Sequence, residues 1–192
     1  MPLSPQEVYQ QNIDRQRIVM TGERSGTLFQ IIVEVLKFNK RNFNAVVDGT
    51  PSARVESPIV LIKDTNTAAL LGYHHHVALL TAPQANDLLP TLQTFADATP
   101  KGGIVMYPES DAALKSIGAK ERADVQSIPY KITPYETKNG QTYLISSTNE
   151  KFAIHLTGNE ALELLAAAKE ILKKIGISSG QFYRAVENIK SL

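Results

Sequence analysis

Ile18-Val19-Met20-Thr21-Gly22-Glu23-Arg24-Ser25-Gly26-Thr27-Leu28 is the stretch that decides the fold. Its three leading apolar residues read as a buried strand that feeds a tight turn at Thr21-Gly22. From Thr27 the apolar positions Leu28, Ile31, Ile32, Val35 and Leu36 repeat with the period of one helix face. The opening unit is therefore strand, glycine-containing loop, helix. Such a loop aims backbone N–H groups and the positive end of a helix dipole at one point, an arrangement that favours a phosphate.

Working outward, Ser4, Pro5 and Glu7 supply a hydroxyl at N-cap, a proline at the first helical position and a carboxylate at N3. That is a capping box, and it predicts a short helix from about Pro5 to Asn12. Downstream, Ala45 to Val47, Ile59 to Ile62, Val77 to Leu80 and Gly103 to Met106 are short and nearly continuously apolar, as strands buried on both faces are. A helix over about Ala85 to Ala98 lies between the last two, with Leu88, Leu89, Leu92 and Phe95 on one side. This alternation predicts an α/β fold with a mainly parallel sheet and helices on both faces.

The character changes from about 125 to 157. Tyr130-Lys131-Ile132 and Gln141 to Ile145 flank Lys138-Asn139-Gly140, whose Asn-Gly pair favours a hairpin turn. A small antiparallel meander continuing through Phe152 to Leu156 is expected. Helices at about Asn159 to Ile175 and Ser179 to Ile189 close the chain, with Gly176 as the stop between them. With no internal repeat and no low-complexity linker, residues 1–192 are expected to form one domain.

Composition narrows the function. Across 192 residues, 20 Lys and Arg against 19 Asp and Glu leave a net charge of +1, which argues against a nucleic-acid or anionic-membrane binder. Hydrophobic residues make up 43% and charged residues 20%, enough apolar material for a packed core and too much for disorder. The absence of cysteine excludes disulfides, thiolate metal sites and cysteine nucleophiles. No apolar run approaches the roughly 20 residues of a membrane helix, and Met1-Pro2-Leu3-Ser4 lacks the features of a secretory signal. The expected location is the cytoplasm.

Within the loop, Gly22, Arg24, Ser25, Gly26 and Thr27 are the candidate anion- or phosphate-binding residues. A working phosphate loop adds a lysine just before the Ser/Thr, and here that position is Gly26. Losing such a contact costs roughly 1.5 to 3 kcal/mol, about ten- to a hundredfold in affinity. Glu23 also brings a carboxylate beside the anion, and Arg24 compensates only by folding back over the loop.

His74-His75-His76 is a second candidate. Neighbours on a strand point to opposite faces, so at most His74 and His76 share a side. The run reads as the start of a strand with polar tips at the surface, a patch able to respond to pH, and not as a metal site. Asp64 follows a strand edge where α/β folds place ligand-binding side chains, yet Thr65 and Asn66 flank it where a magnesium site would want a second acid. Ser25, Ser52 and Ser57 have no nucleophile-base context. No catalytic residue and no metal ligand is assigned.

The words Pro5-Gln6-Glu7-Val8-Tyr9-Gln10-Gln11 and Arg17-Ile18-Val19-Met20-Thr21-Gly22 resemble the start of the central ATP-binding domain of the Mur ligases. The nearest types act on UDP-N-acetylmuramate with L-alanine or on recycled muropeptides. Gly103-Ile104-Val105-Met106-Tyr107, Ile128-Pro129-Tyr130, Ala166-Ala167-Ala168-Lys169 and Gln181-Phe182-Tyr183-Arg184-Ala185-Val186 extend the resemblance over nearly the whole chain. It implies a P-loop α/β domain with a small antiparallel sheet at one side.

Its site motifs are not carried over with it. The family's phosphate loop, G-[TS]-H-G-K-T, falls on Gly22 to Thr27, keeping the first glycine and the threonine but neither histidine nor lysine. Its magnesium-binding E-G-D-E-Y falls on Ile62-Lys63-Asp64-Thr65-Asn66 with one acid left. Its D-H pair falls on Gln84-Ala85, and its G-x-H-N-x-x-N on Gly158 to Leu164. The family's N-terminal UDP-binding and C-terminal ligase domains are expected to be absent, because the chain opens just ahead of the central domain and closes where the third would start. One domain alone does not hold carboxylate, γ-phosphate and amine within reacting distance.

The sequence therefore predicts a stand-alone, catalytically inactive homologue that works by binding an unidentified protein or small molecule, with no cofactor. The rival is an ATP-binding subunit of an amide ligase, with Mg-ATP held on the degenerate loop by Arg24. A third expectation is a homo-oligomer or heteromeric subunit whose cleft binds protein.

Overall fold

A computed structural model describes residues 2–190. In chain order the helices are α1 (Pro5–Gln11), α2 (Ser25–Phe38), α3 (Leu89–Asp97), α4 (Ala112–Gly118), α5 (Asn159–Lys174) and α6 (Ser179–Val186). The strands are β1 (Gln16–Thr21), β2 (Asn44–Val47), β3 (Thr50–Pro51), β4 (Ile59–Lys63), β5 (Val77–Leu80), β6 (Ile104–Pro108), β7 (Gln126–Tyr130), β8 (Tyr135–Lys138), β9 (Gln141–Ile145) and β10 (Lys151–Ile154). Two short 3-10 segments, Thr67–Tyr73 and Asn86–Leu88, complete the inventory.

Two compact units result. The first runs up to Gly26 and resumes over Asn42–Pro129; the second comprises Thr27–Arg41 and the chain from Tyr130 onward. The large sheet has the order β3-β2-β4-β1-β5-β6-β7, and β1 pairs in parallel with both β4 and β5. Every residue of β5 is buried, as are all of β1 after Gln16 and the first four of β4, so these strands have no solvent face and need no alternation. β2 and β4 as well as β5 and β6 also pair in parallel, whereas β3, a two-residue edge strand ending in proline, is antiparallel to its neighbour β2. Val19, Val60, Ile62, Ala78, Leu80 and Phe95 belong to the core of this unit. The capping box of α1 is present: Ser4 Oγ accepts the Glu7 N–H at 3.3 Å, and the Glu7 carboxylate accepts the Ser4 N–H at 2.8 Å.

The second unit contains the three-stranded antiparallel sheet β10-β9-β8 and helices α5 and α6. Asn139 and Gly140 both take positive φ, 52° and 77°, which a two-residue hairpin turn of this hand requires. In α6 a second capping box joins Ser178 and Gln181.

The expected class holds: a mainly parallel sheet flanked by helices, with a small antiparallel sheet. Two local expectations are corrected, and one helix is added. Tyr130 ends β7 of the large sheet, and the hairpin's first strand is Tyr135–Lys138, because a two-residue turn leaves no room for six residues between strand and turn. The helix expected over Ala85 to Ala98 is split, a 3-10 turn preceding α3, whose first turn holds Pro90. Helix α4 was not anticipated, although Asp111 caps it by accepting the N–H groups of Ala113 and Leu114 at 2.9 Å each.

Candidate functional site

The C-terminal ends of β4, β1 and β5 lie side by side, since β1 separates the other two in the sheet. Open α/β sheets carry their ligands at this edge. Three segments meet there: the loop after β1, the end of β4 at Lys63 with the Asp64 to Thr67 stretch that follows it, and the Thr81 to Gln84 stretch after β5.

The loop is strapped down onto β5. Glu23 donates its N–H to the Ala82 carbonyl at 2.7 Å, and Thr81 donates both its N–H and its hydroxyl to the Thr21 carbonyl at 3.0 Å. Gly22 has φ +110°, and a Cβ there would stand 2.3 Å from Thr81 Oγ1 and 2.4 Å from the Thr81 carbonyl oxygen. Glycine is thus required by both conformation and space. Ser25 is fully buried; its hydroxyl and its N–H both donate back to the Gly22 carbonyl, at 2.8 and 3.2 Å. Of the expected anion-binding residues, Gly22 and Ser25 are spent on building the turn. Arg24 is exposed, and Gly26 and Thr27 occupy the first turn of α2, where N–H groups have no intrahelical acceptor.

A lysine does reach the loop, from outside it. Register pairs Lys63 of β4 with Met20 of β1. Its Cε lies 4.0 Å from the position that a Cβ at Gly26 would take. Its ammonium pairs with both carboxylate oxygens of Asp48, at 2.8 and 3.2 Å, and its side chain is 15% exposed. Sequence reasoning missed this residue. The signal for it was a lone lysine ending an apolar strand.

Asp64 is buried and committed. One carboxylate oxygen accepts the Asn66 N–H at 2.8 Å, and the other accepts the Tyr73 hydroxyl at 2.5 Å. Burial, the hydrogen bond to Asp64 and the charges of Asp64 and Asp48 together push the Tyr73 hydroxyl far above the ordinary tyrosine range. Beside the loop lies a shallow recess, open to solvent, lined by Thr21, Gly22, Thr65, Thr67, Gln84 and Leu88 among others. Threonine hydroxyls and the Gln84 amide share its lining with the apolar Pro83, Leu88 and Leu92, and none of these carries a charge. Thr21 Oγ1 is buried there without a hydrogen-bond partner. These residues are not assembled for a magnesium ion: Asp64 already holds two hydrogen bonds and Asp48 is paired with Lys63, whereas a hard cation wants several charged oxygens free to bind it. Among the described residues no group of three or more His, Cys, Asp or Glu side chains could hold a metal.

The histidines lie at the other end of the sheet, before β5, and one of them corrects the expectation of surface tips. His74 is exposed in a left-handed conformation with its ring 4.4 Å from that of Tyr9, and His76 is half-buried. His75 is 1% exposed, its ring 4.2 Å from that of Phe95 and its Nε2 2.9 Å from Thr99 Oγ1. Arg17 knits this corner: it is buried, donates to the carbonyls of Asn12, Ile13, Arg15 and His74, and lies over the Tyr9 ring. Burial lowers its pKa from the ordinary arginine value. Among the described residues no helix is long and apolar enough to cross a membrane.

No protein-family model matches the chain, and no curated protein matches its sequence. Solved structures do match its shape. The UDP-N-acetylmuramate:L-alanyl-gamma-D-glutamyl-meso-diaminopimelate ligase of Neisseria meningitides superposes with a TM-score of 0.78 at 11% identity, over 98% of this chain and 70% of that one. MurF of Acinetobacter baumannii gives 0.75 at 12%, over 98% and 49%, and MurF ligase of Thermotoga maritima, solved in complex with ADP, gives 0.73 at 12%, over 98% and 51%. The chain thus spans about half the length of the two MurF structures. Strand order, the glycine turn after β1 and the small antiparallel sheet converge with these superpositions on one conclusion: this chain has the fold of the Mur ligases.

Proposed function

We propose that this chain is a Mur-ligase-like domain that does not turn over ATP and that acts in the cytoplasm by binding a protein or small-molecule partner, in a setting related to peptidoglycan metabolism. The observation that carries the reading is the commitment of Asp64 to Tyr73 and Asn66 beside a recess without charge. The strapped loop supports it: the Glu23 N–H and the N–H and hydroxyl of Ser25 donate to carbonyls of the protein itself. A triphosphate with its metal asks for the opposite, paired acids and outward-facing donors. Isothermal titration with Mg-ATP, paired with a phosphate-release assay, tests it. The expected result is no saturable heat and no release up to millimolar nucleotide. Micromolar binding together with release that is lost in Thr27→Ala overturns it.

Lys63 favours a second reading, an ATP-binding subunit whose nucleotide sits on the loop without a bound metal. Its Cε passes 4.0 Å from the position a Cβ on Gly26 would take, which brings a cation near the root of α2. On this reading Lys63→Met abolishes nucleotide binding, whereas on the Arg24 version Arg24→Ala does so. If neither variant differs from a non-binding parent, the first reading stands.

A further inference from the structure

At the corner before β5, two neighbouring imidazoles sit where neither has a place for a second proton. His76 Nδ1 accepts the Arg17 backbone N–H at 3.1 Å, so that nitrogen must stay unprotonated. The other ring nitrogen of His76 lies 3.4 Å from Arg17 Nη2, a fixed cation. His75 Nδ1 is buried and has no partner, while its Nε2 meets the Thr99 hydroxyl and its ring lies against Phe95. The groups packed around the pair are Tyr9 of α1, Arg17 of β1, Phe95 of α3 with Thr99 just beyond it, and His74. The open groove that His76 helps line holds Asp14, Arg15 and Lys101: Asp14 is exposed and 3.7 Å from Arg15, and Lys101 lies 3.6 Å from the exposed Asp124, whose carbonyl accepts the Gly102 N–H at 2.7 Å. No carboxylate among the described residues touches either ring.

Ring and backbone of these two residues together hold three pieces of chain: the rings reach the Arg17 N–H and the Thr99 hydroxyl, and the backbone of His76 reaches β1 and β6. The His76 N–H donates to the Arg17 carbonyl at 2.9 Å and the His76 carbonyl accepts the Ile104 N–H at 2.9 Å, so β1 and β6 both meet β5 here. His75 ties in Thr99, and the turn that follows it closes with the Gly103 N–H on the Pro100 carbonyl at 2.8 Å. Gly103 is packed tightly there, a Cβ on it falling 2.6 Å from Thr99 Cγ2 and 2.7 Å from the His76 carbonyl oxygen.

We propose that His75 and His76 form an acid-released clasp: neutral, they lock the Thr99–Gly103 turn and the start of β1 onto β5, and proton uptake by the opened rings frees that turn and widens the groove bounded by His76, Lys101 and Gly102. Burial first, then the charges of His76, Arg17 and His74, depresses His75 to about 3, and burial with Arg17 lowers His76. Both directions agree with the geometry. The released state takes up protons at the ordinary imidazole value near 6.5, so acid favours opening.

Native-state hydrogen exchange of the His76, Gly103 and Ile104 amides between pH 6.5 and 4.5, corrected for intrinsic exchange rates, tests the clasp. Each ring that gains a proton on opening raises the opening constant about tenfold per pH unit, so the native chain should show a slope between ten- and a hundredfold. His75→Gln and His76→Asn keep a hydrogen-bonding atom near Nε2 and Nδ1 and remove the titration; combined, they should flatten the profile to within about threefold. A flat profile in the native chain, or an unchanged slope in the double variant, overturns the proposal. Should the double variant not fold, ring-nitrogen NMR of the native chain decides: the clasp requires both rings to take up their protons below the ordinary imidazole value near 6.5 and together with loss of amide protection, and protonation of either ring with unchanged amide protection refutes it.

Discussion

Lys63 Cε stands 4.0 Å from where the Cβ of a residue at position 26 would be, with nothing nearer. An alanine there makes ordinary van der Waals contact and removes a flexible residue from the first turn of α2. Gly26→Ala should therefore stabilise the chain by about 0.5 kcal/mol. Urea unfolding at neutral pH measures it, and a loss of stability would mean that the space over Gly26 is not open.

Gly22 predicts the reverse. Its φ of +110° and the backbone oxygens of Thr81 and Ala82, within 2.4 and 2.8 Å of a built Cβ, leave alanine nowhere to go. Gly22→Ala should cost about 3 kcal/mol or more, because backbone and not a pliable side chain must yield. The same urea series provides the comparison.

Tyr73 and Asp64 form a buried pair. Tyr73→Phe deletes the donor to a carboxylate, at an expected cost of about 1.5–3 kcal/mol. The Tyr73 pKa is raised in the folded chain, so the stability it lends is complete below the ordinary tyrosine value near 10 and is lost as pH climbs above it. Thermal melts between pH 9 and 11 should fall more steeply for the native chain than for Tyr73→Phe. Parallel curves would contradict the assignment.

The Lys63–Asp48 pair is half open to water on the Asp48 side, whose side chain is 52% exposed. Asp48 takes φ +46°, a conformation asparagine accepts as readily. Asp48→Asn should therefore change the unfolding free energy by less than about 1 kcal/mol, and any effect should shrink in high salt. Chemical denaturation at low and high ionic strength checks both parts.

In the second unit, Gly140 has φ +77° and nothing within 4 Å of a built Cβ. Gly140→Ala then isolates conformation from packing and should cost about 1–2 kcal/mol. A neutral outcome would argue that the β8–β9 turn relaxes to another type.

Much of this fold was legible because local chemistry and global position agree. Ser4 and Glu7 announce α1 by their spacing, and β5 begins and ends where its apolar run does. The first hairpin strand was misplaced because apolar Tyr130 and Ile132 outweighed Tyr135-Glu136-Thr137-Lys138, a strand that is largely exposed and so carries little hydrophobic signal. His75 looked like a surface residue because three adjacent imidazoles read as polar; the left-handed turn at His74 swings the middle one inward. At the site, the absent lysine was legible, but the lysine that approaches the loop from β4 was not. Register, not sequence proximity, sets Lys63 beside Gly26, 37 positions away in the chain.

The open volume over Gly26 has an engineering consequence. Since Lys63 grows into it from the neighbouring strand, exchanging the two residues, Gly26→Lys with Lys63→Gly, moves the ammonium's anchor from sheet to helix while conserving total charge and nearly conserving bulk. The scaffold is thereby a donor frame for grafting a triphosphate cradle, in which the cation can be transplanted first and acids added afterwards at Thr65 and Gln84, one neutral side chain at a time.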